Sequence, residues 1–248
     1  DVALVVSTDV RPAPMHGRID GVRYLKGDIR DPELGKQLKA AQITTVVHLA
    51  AVVTPKPTDT RAFLYQVDVE GTRNVLAACV EADVRQVVYT SSGAAYGYHA
   101  DNAALLRESS PLRGNEVFAY SWHKRLVEKL LAETRETHPE LKQLVFRVST
   151  VLGPTVQNQI TAMFERPVVI GVKGADTPFC FIADEDVVAC ILRGVETGLD
   201  GTFNLTADGV MTLREIAVAM GRRYLALPEV MLRKGLEVLS DREMTQLG

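Results

Sequence analysis

Short, continuously apolar runs alternate with longer runs of helical period through the first half of the chain. ALVVST at 3–8 is β-branched and apolar, the pattern of a strand covered on both faces. VRYLKG at 22–27 is a weaker second run. TTVVHLAA at 44–51, RQVVYTSS at 85–92 and KQLVFRVSTVLG at 142–153 follow. Helical patterns separate them: PELGKQLKAAQ at 32–42, LYQVDVEGTRNVLAACVEA at 64–82 and AYSWHKRLVEKLLAETRE at 119–136. Strands alternating with helices predict βαβ units and a parallel sheet. Right-handed crossovers then give a doubly wound α/β fold.

The pattern changes after Pro154. Residues 155–182 read as irregular, with Gly171, Gly174 and Pro178 as breakers. A helix is predicted over 183–198, a short strand over 202–207, and two more helices over 211–223 and 228–239. The expected organisation is a nucleotide-binding domain from 1–154 and 179–208, with a small, partial substrate-binding lobe from 155–178 and 209–248. No internal repeat is visible.

Composition narrows the function classes. Of 248 residues, 46% are hydrophobic and 24% charged, an ordinary globular balance that excludes disorder and fibrous repeats. Lys and Arg total 28 against 31 Asp and Glu, a net charge of −3, so the basic excess that phosphate backbones select is missing and no nucleic-acid partner is expected. No apolar stretch is long enough for a transmembrane helix, and the first residues lack the basic region of a signal peptide. Cys79, Cys180 and Cys190 are too few for a disulfide framework and read as core thiols of a cytoplasmic protein. The five histidines show no metal-binding spacing.

The sharpest chemical signal is Tyr120-Ser121-Trp122-His123-Lys124. Residues four apart share one helix face, so Lys124 sets an ammonium near the Tyr120 phenol. A nearby cation favours phenolate and is expected to lower the Tyr120 pKa toward the range of a general base. By itself the spacing also fits an amphipathic helix with Leu126, Leu130 and Leu131 inward. Ser92 lies just past the end of the fourth predicted strand, where open α/β sheets place ligands. A serine there is otherwise a turn cap.

Together these pieces resemble the extended short-chain dehydrogenase/reductases of the NAD-dependent epimerase/dehydratase branch. The resemblance rests on an ordered set: Asp9 after a strand, GDIRD (27–31), HLAA (48–51), VDVEGTRNVLAAC (67–79), YTSSGAAYG (89–97), YSWHK (120–124), FRVSTVLGP (146–154), FIADEDVV (181–188), FNLT (203–206) and TLREIA (212–217). It implies a Rossmann-like fold and NAD as cofactor. Tyr120 becomes the acid/base, Lys124 its electrostatic and ribose-holding partner, and Ser92 the hydroxyl that positions the substrate oxygen. Asp9 takes the adenosine ribose hydroxyls, which favours NAD over NADP, while Arg11 keeps NADP in view. Asp28 and Ile29 border the adenine, and Leu49, Ala50 and Ala51 line the dinucleotide. Asp28 alone also reads as a turn cap, and His48 as a packed core histidine. The helices at 64–82 and 119–136 resemble those that form a homodimer interface in the family.

Three departures stand out. The glycine-rich loop that cradles a pyrophosphate, normally about 20 residues before the ribose-binding acid, is not in this sequence. Gly194 to Gly201 runs from helix to strand, the reverse of the required order. The expectation is therefore a fragment lacking the first strand and helix, with an incomplete C-terminal lobe. Asp68 stands where the family usually has Asn, and Val148 where Pro is common.

The reaction is less determined. A dehydratase needs an acidic pair after the strand-end hydroxyl, but Gly93 and Ala94 stand there. Small residues Gly93, Ala94 and Ala95 leave room for a keto sugar to rotate, so a nucleotide-sugar epimerase is the leading expectation. The alternative is an NAD(P)-dependent dehydrogenase or reductase of a secondary alcohol or ketone, 3β-hydroxysteroid-like, suggested by the apolar segment at 227–240. Arg166, Lys173 and Arg193 are candidate diphosphate clamps or plain surface charges. A non-catalytic family member is the third reading.

Overall fold

The computed structural model describes residues 4–156, 159–175 and 178–232. The chain divides into two compact units, one from residues up to Val148 plus Val187–Leu205, the other from Ser149–Asp186 plus the residues after Leu205. In chain order the first unit opens with β1 (Val5–Asp9), β2 (Val22–Lys26), α1 (Leu34–Ala40), β3 (Thr45–His48) and α2 (Arg61–Tyr65). A π turn, Gln66–Glu70, joins α2 to α3 (Gly71–Glu81). Then come β4 (Gln86–Ser92), a 3-10 turn at Gly93–Tyr96, α4 (Ala119–Thr137) and β5 (Lys142–Val148). The second unit contributes β6 (Thr150–Leu152), α5 (Gln159–Glu165), β7 (Val168–Val172), β8 (Pro178–Phe179) and β9 (Phe181–Ala183). The unit boundary falls within α6 (Asp184–Thr197). β10 (Gly201–Leu205) belongs to the first unit, and β11 (Met211–Thr212), α7 (Leu213–Ala219) and β12 (Arg223–Leu227) to the second.

The first unit is the Rossmann-like α/β fold. Its main sheet runs β10-β5-β4-β3, every pair parallel, and β1 and β2 form a separate parallel pair. β4 and β5 are nearly all buried, as continuous apolar parallel strands require. α3 and α4 cover them: Val75, Leu76 and Cys79 pack with Val127, Leu130 and Leu131 against Val87, Tyr89 and Val145 in one cluster. Gly71 opens α3 where Ile29 packs, because a Cβ there would collide with Ile29 Cδ1. Asn74 Nδ2 ties the same helix to the Ile29 and Asp31 carbonyls at 2.7 and 2.8 Å.

A buried ion pair locks α4 to β5. The Arg147 guanidinium grips both Glu128 oxygens at 2.7 to 3.0 Å. Ser91 donates to Glu128 at 2.5 Å, and Arg147 Nη1 donates to the Tyr96 hydroxyl and the Glu108 carbonyl. The Tyr96 hydroxyl reaches Asn204 Oδ1 at 2.7 Å. Every polar end of this cluster is bonded, which is what makes two buried charges tolerable.

Several sequence expectations need correction. β1 is largely exposed rather than covered on both faces, because among the described residues it pairs with β2 alone. The helix expected over 64–82 is interrupted by the π turn. The strand expected over 142–153 breaks at Ser149, after which β6 pairs with β9 instead. Residues 155–182 are not irregular: they hold α5, β7 and β8, and β7 pairs in parallel with β12. The helix expected over 211–223 ends at Ala219. Gly221, at φ 63°, turns the chain into β12, as left-handed glycines after helices do. α7 itself starts on a capping box between Thr212 and Glu215. Cys79 is buried, but Cys180 is exposed and Cys190 half-buried, so only one of the three is a core thiol. The helix expected over 228–239 falls mostly outside the described residues. Within the second unit, Phe164 meets Phe179 and Phe181 edge-on, 5.8 and 6.1 Å between centroids.

Candidate active site

β4 delivers Ser92 at its carboxyl end, and the first two turns of α4 deliver Tyr120 and Lys124. The Ser92 hydroxyl accepts the Ala94 amide at 3.1 Å, capping the 3-10 turn, and acts to lower the pKa of Tyr120. Lys124 is buried. Its ammonium donates to the Tyr89 hydroxyl at 2.9 Å and the Thr90 carbonyl at 2.7 Å, and lies 5.7 Å from the Tyr120 ring centroid. Two strand-borne acceptors thus aim the cation, and Tyr120 lies within its field. Ala51 shares a narrow crevice with Asp68, Tyr89, Tyr120, His123 and Lys124.

The electrostatics differ from expectation at Tyr120. Burial raises its pKa, and the Ser92 hydroxyl pulls the other way. The expected depression by Lys124 is not found, because the ammonium faces the ring and spends its donors elsewhere. Lys124 itself is lowered to about 8 by burial, with the Asp68 and Glu128 charges opposing that fall. Tyr89 is raised well above the ordinary phenol value, mainly by burial, so it stays neutral and hydrogen-bonding.

The other expected cofactor residues follow strand ends but are engaged locally. Asp9 is exposed and accepts from the Arg11 amide at 2.8 Å and Arg11 Nε at 3.4 Å. Asp28 caps its turn by accepting the Arg30 amide at 2.9 Å and is gripped by the Arg30 guanidinium, which lowers its pKa. The turn-cap reading of Asp28 therefore holds. Ile29 packs at Gly71, while Leu49 and Ala50 stand exposed beyond β3. His48 is packed, as expected: it is buried against Thr72 Oγ1 at 2.9 Å and lowered to about 3 by burial and by Lys124. Arg166, Lys173 and Arg193 are all exposed.

Sequence reasoning missed the pair beside Lys124. Asp68, on the π turn, accepts the Val52 amide on Oδ1 and contacts His123 Nδ1 through Oδ2, both at 2.9 Å. Asp68 and His123 are buried. The signal was present as Asp68, where the resembling family has Asn, and His123 inside the Tyr120 motif. Only the fold brings them together across 55 residues.

The residues present fit the adenosine and nicotinamide sides of an NAD. An exposed carboxylate at a strand end suits a ribose diol, and a buried cation beside a phenol suits the reacting end. No glycine-rich turn for the pyrophosphate lies among the 248 residues. Among the described residues, no cluster of His, Cys, Asp or Glu could hold a metal ion, and no helix is long and apolar enough to cross a membrane.

A parallel doubly wound sheet with Ser, Tyr and Lys converging at a strand end defines the Rossmann-like class of short-chain dehydrogenase/reductase folds. The model of the NAD dependent epimerase/dehydratase family matches residues 2–205, and the chain belongs to that family. An uncharacterized protein of Mycobacterium tuberculosis is 25% identical over 85% of this chain and 56% of its own length. The chain thus spans about half the length of such curated relatives. The N-acetyl-α-D-glucosaminyl-diphospho-ditrans,octacis-undecaprenol 4-epimerase of Escherichia coli O157:H7 is 34% identical over 52% of this chain and 36% of its own length. In fold, the chain is similar to the Thermus thermophilus UDP-glucose 4-epimerase solved with NAD, at a TM-score of 0.72 and 22% identity, covering 90% of this chain and 78% of that one.

Proposed function

We propose that the chain carries the catalytic acid/base machinery of an NAD-dependent nucleotide-sugar epimerase. The observation that carries this reading is the convergence of Ser92 and Lys124, from two different elements, on Tyr120. NAD, when bound, supplies hydride acceptance and return at the sugar carbon. Tyr120 takes the proton of the substrate hydroxyl and gives it back. Ser92 orients that oxygen, and Lys124 offsets the charge that develops on the phenol. Asp9 holds the adenosine ribose, with Asp28 and Ile29 at the adenine and Leu49, Ala50 and Ala51 along the dinucleotide. Gly93 and Ala94 bear no proton-transfer group, which supports epimerisation over dehydration. The second unit is the substrate lobe in this reading. The groove between α3 and α4, lined by Leu76, Val80, Leu130 and Thr134, supports a homodimer. A monomeric mass in light scattering at micromolar concentration would count against that assembly.

The test is incubation with UDP-galactose or UDP-glucose and catalytic NAD, following both the sugar product and reduced nicotinamide. Interconversion without net reduction is expected, and Tyr120→Phe should slow it by about two to four orders of magnitude while retaining NAD binding. One observation favours a second reading, a dehydrogenase of a lipophilic secondary alcohol. Tyr98, 66% exposed, and Phe118, 47% exposed, step ring by ring toward Tyr120 at 6.2 and 6.1 Å. Net reduction of NAD by a hydroxysteroid, with no sugar interconversion, selects that reading.

A further inference from the structure

Asp68 is a buried carboxylate with a built setting. Both oxygens meet nitrogen donors: the Val52 amide on Oδ1 and the His123 imidazole on Oδ2. Its own carbonyl accepts the Thr72 hydroxyl at 2.6 Å, and Thr72 in turn meets His48. The π turn is the local deformation that carries this side chain, and π bulges recur at functional sites. Tyr65 closes the other side, edge-on to the His123 ring at 5.8 Å between centroids. No hydroxyl or ammonium of the proposed acid/base group bonds Asp68 directly, yet Asp68, His123, Tyr120 and Lys124 line one crevice.

We propose that Asp68, clamped by Val52 and His123, is a positioning residue whose fixed negative charge keeps the Lys124 ammonium protonated beside Tyr120. The idea rests on the acid/base reading of Tyr120 and Lys124 given above. The polar groups around Lys124 come from β4, β3, α4 and the π turn. β4 offers the neutral Tyr89 hydroxyl and the Thr90 carbonyl, and β3 offers His48. α4 offers Tyr120, His123 and Glu128, and Glu128 is already claimed by Arg147 from β5. The π turn offers Asp68. Glu128 is tied to Arg147, and Asp68 is the stronger of the two carboxylates that act on Lys124. Its field opposes the burial that lowers Lys124 to about 8. An amide at this position cannot do that, which gives the Asp in place of the resembling family's Asn a chemical consequence.

Asp68→Asn is the direct variant. Asn keeps an acceptor for the Val52 amide, and its NH2 can donate to His123 in the other imidazole tautomer, so shape and bonding survive while the charge goes. Lysine side-chain NMR on the full chain should show the Lys124 midpoint falling from about 8 by about one pH unit in Asp68→Asn and recovering in Asp68→Glu. The basic limb of the kcat profile should move by the same amount, with KM little changed. An unmoved midpoint and limb in a folded Asp68→Asn would overturn the proposal. Should that variant fail to fold, the unsubstituted chain decides. The Asp68 carboxyl carbon must show a small step at the Lys124 midpoint. No step overturns the idea as firmly. Tyr120→Phe separates the two levels. If it retains turnover, the acid/base reading fails, whatever Asp68 does.

Discussion

Lys124 is a cation that burial works against, and the chain keeps it because two acceptors and two carboxylates surround it. Its lowered pKa makes folding stability depend on pH. The unfolded chain holds the Lys124 proton up to about 10.4, whereas the folded chain releases it near 8. Between those values the unfolded state binds more protons, so stability rises with pH. Lys124 contributes this term fully above the unfolded value and loses it as pH falls through the folded one. The window spans roughly 2.5 units, on the order of 3 kcal/mol. Urea unfolding of the parent and Lys124→Met at pH 7.5, 9 and 10 should show the parent gaining stability relative to the variant as pH rises. A constant difference would mean the ammonium is not strained by burial. The expectation from spacing alone, a cation depressing Tyr120, failed because side-chain direction is decided by β4, which supplies Tyr89 and Thr90, and helix spacing carries no information about that.

At the scale of elements, α4 is held to the sheet by charge as well as by its apolar stripe. Glu128→Gln leaves the Arg147 guanidinium buried with its main partner neutralised, and should cost about 3–5 kcal/mol in denaturant unfolding. Glu128→Met combined with Arg147→Met should cost less than the sum of the single changes, since both charges then leave the interior. A neighbouring residue on β5 points the opposite way. Gln143 is fully buried, and neither polar atom of its amide has a hydrogen-bond partner among the described residues. Gln143→Leu should therefore raise stability by about 1–2 kcal/mol, and a loss of that size would show that the amide is bonded after all. These elements were the legible part of the chain. β4, β5 and α4 have patterns set by one dominant environment, two-sided burial or a single apolar stripe. β7 and β12 were not legible, because each is stabilised by the other from about 55 residues away, a pairing that local pattern does not encode. The π turn was hidden for a related reason: its Asp68 bonds Val52 and His123, partners that only the fold brings near.

Across the whole first unit, order should be uneven. The four-stranded sheet is packed by α3 and α4, whereas β1 and β2, among the described residues, pair only with each other and leave Val5 45% and Leu25 41% exposed. A two-stranded pair is marginal by itself, and local opening free energies range from near zero up to the global value. Hydrogen exchange should therefore find the amides of 5–9 and 22–26 opening far more readily than those of 86–92 and 142–148. The same experiment tests where the cofactor's adenosine half rests. If Asp9, Asp28 and Ile29 hold it, NAD at about a hundred times its Kd stabilises the bound form by about 2.7 kcal/mol, and exchange at 4–31 should slow by up to roughly a hundredfold. The signal should be concentrated there because β1 and β2 open locally, while β4 and β5 exchange only through events that unfold most of the unit. Slowing around 120–124 with none at 4–31 would leave the nicotinamide side intact and remove Asp9 from the cofactor's partners. Slowing that starts at 4–31 and disappears in Asp9→Ala would fix the adenosine end on β1.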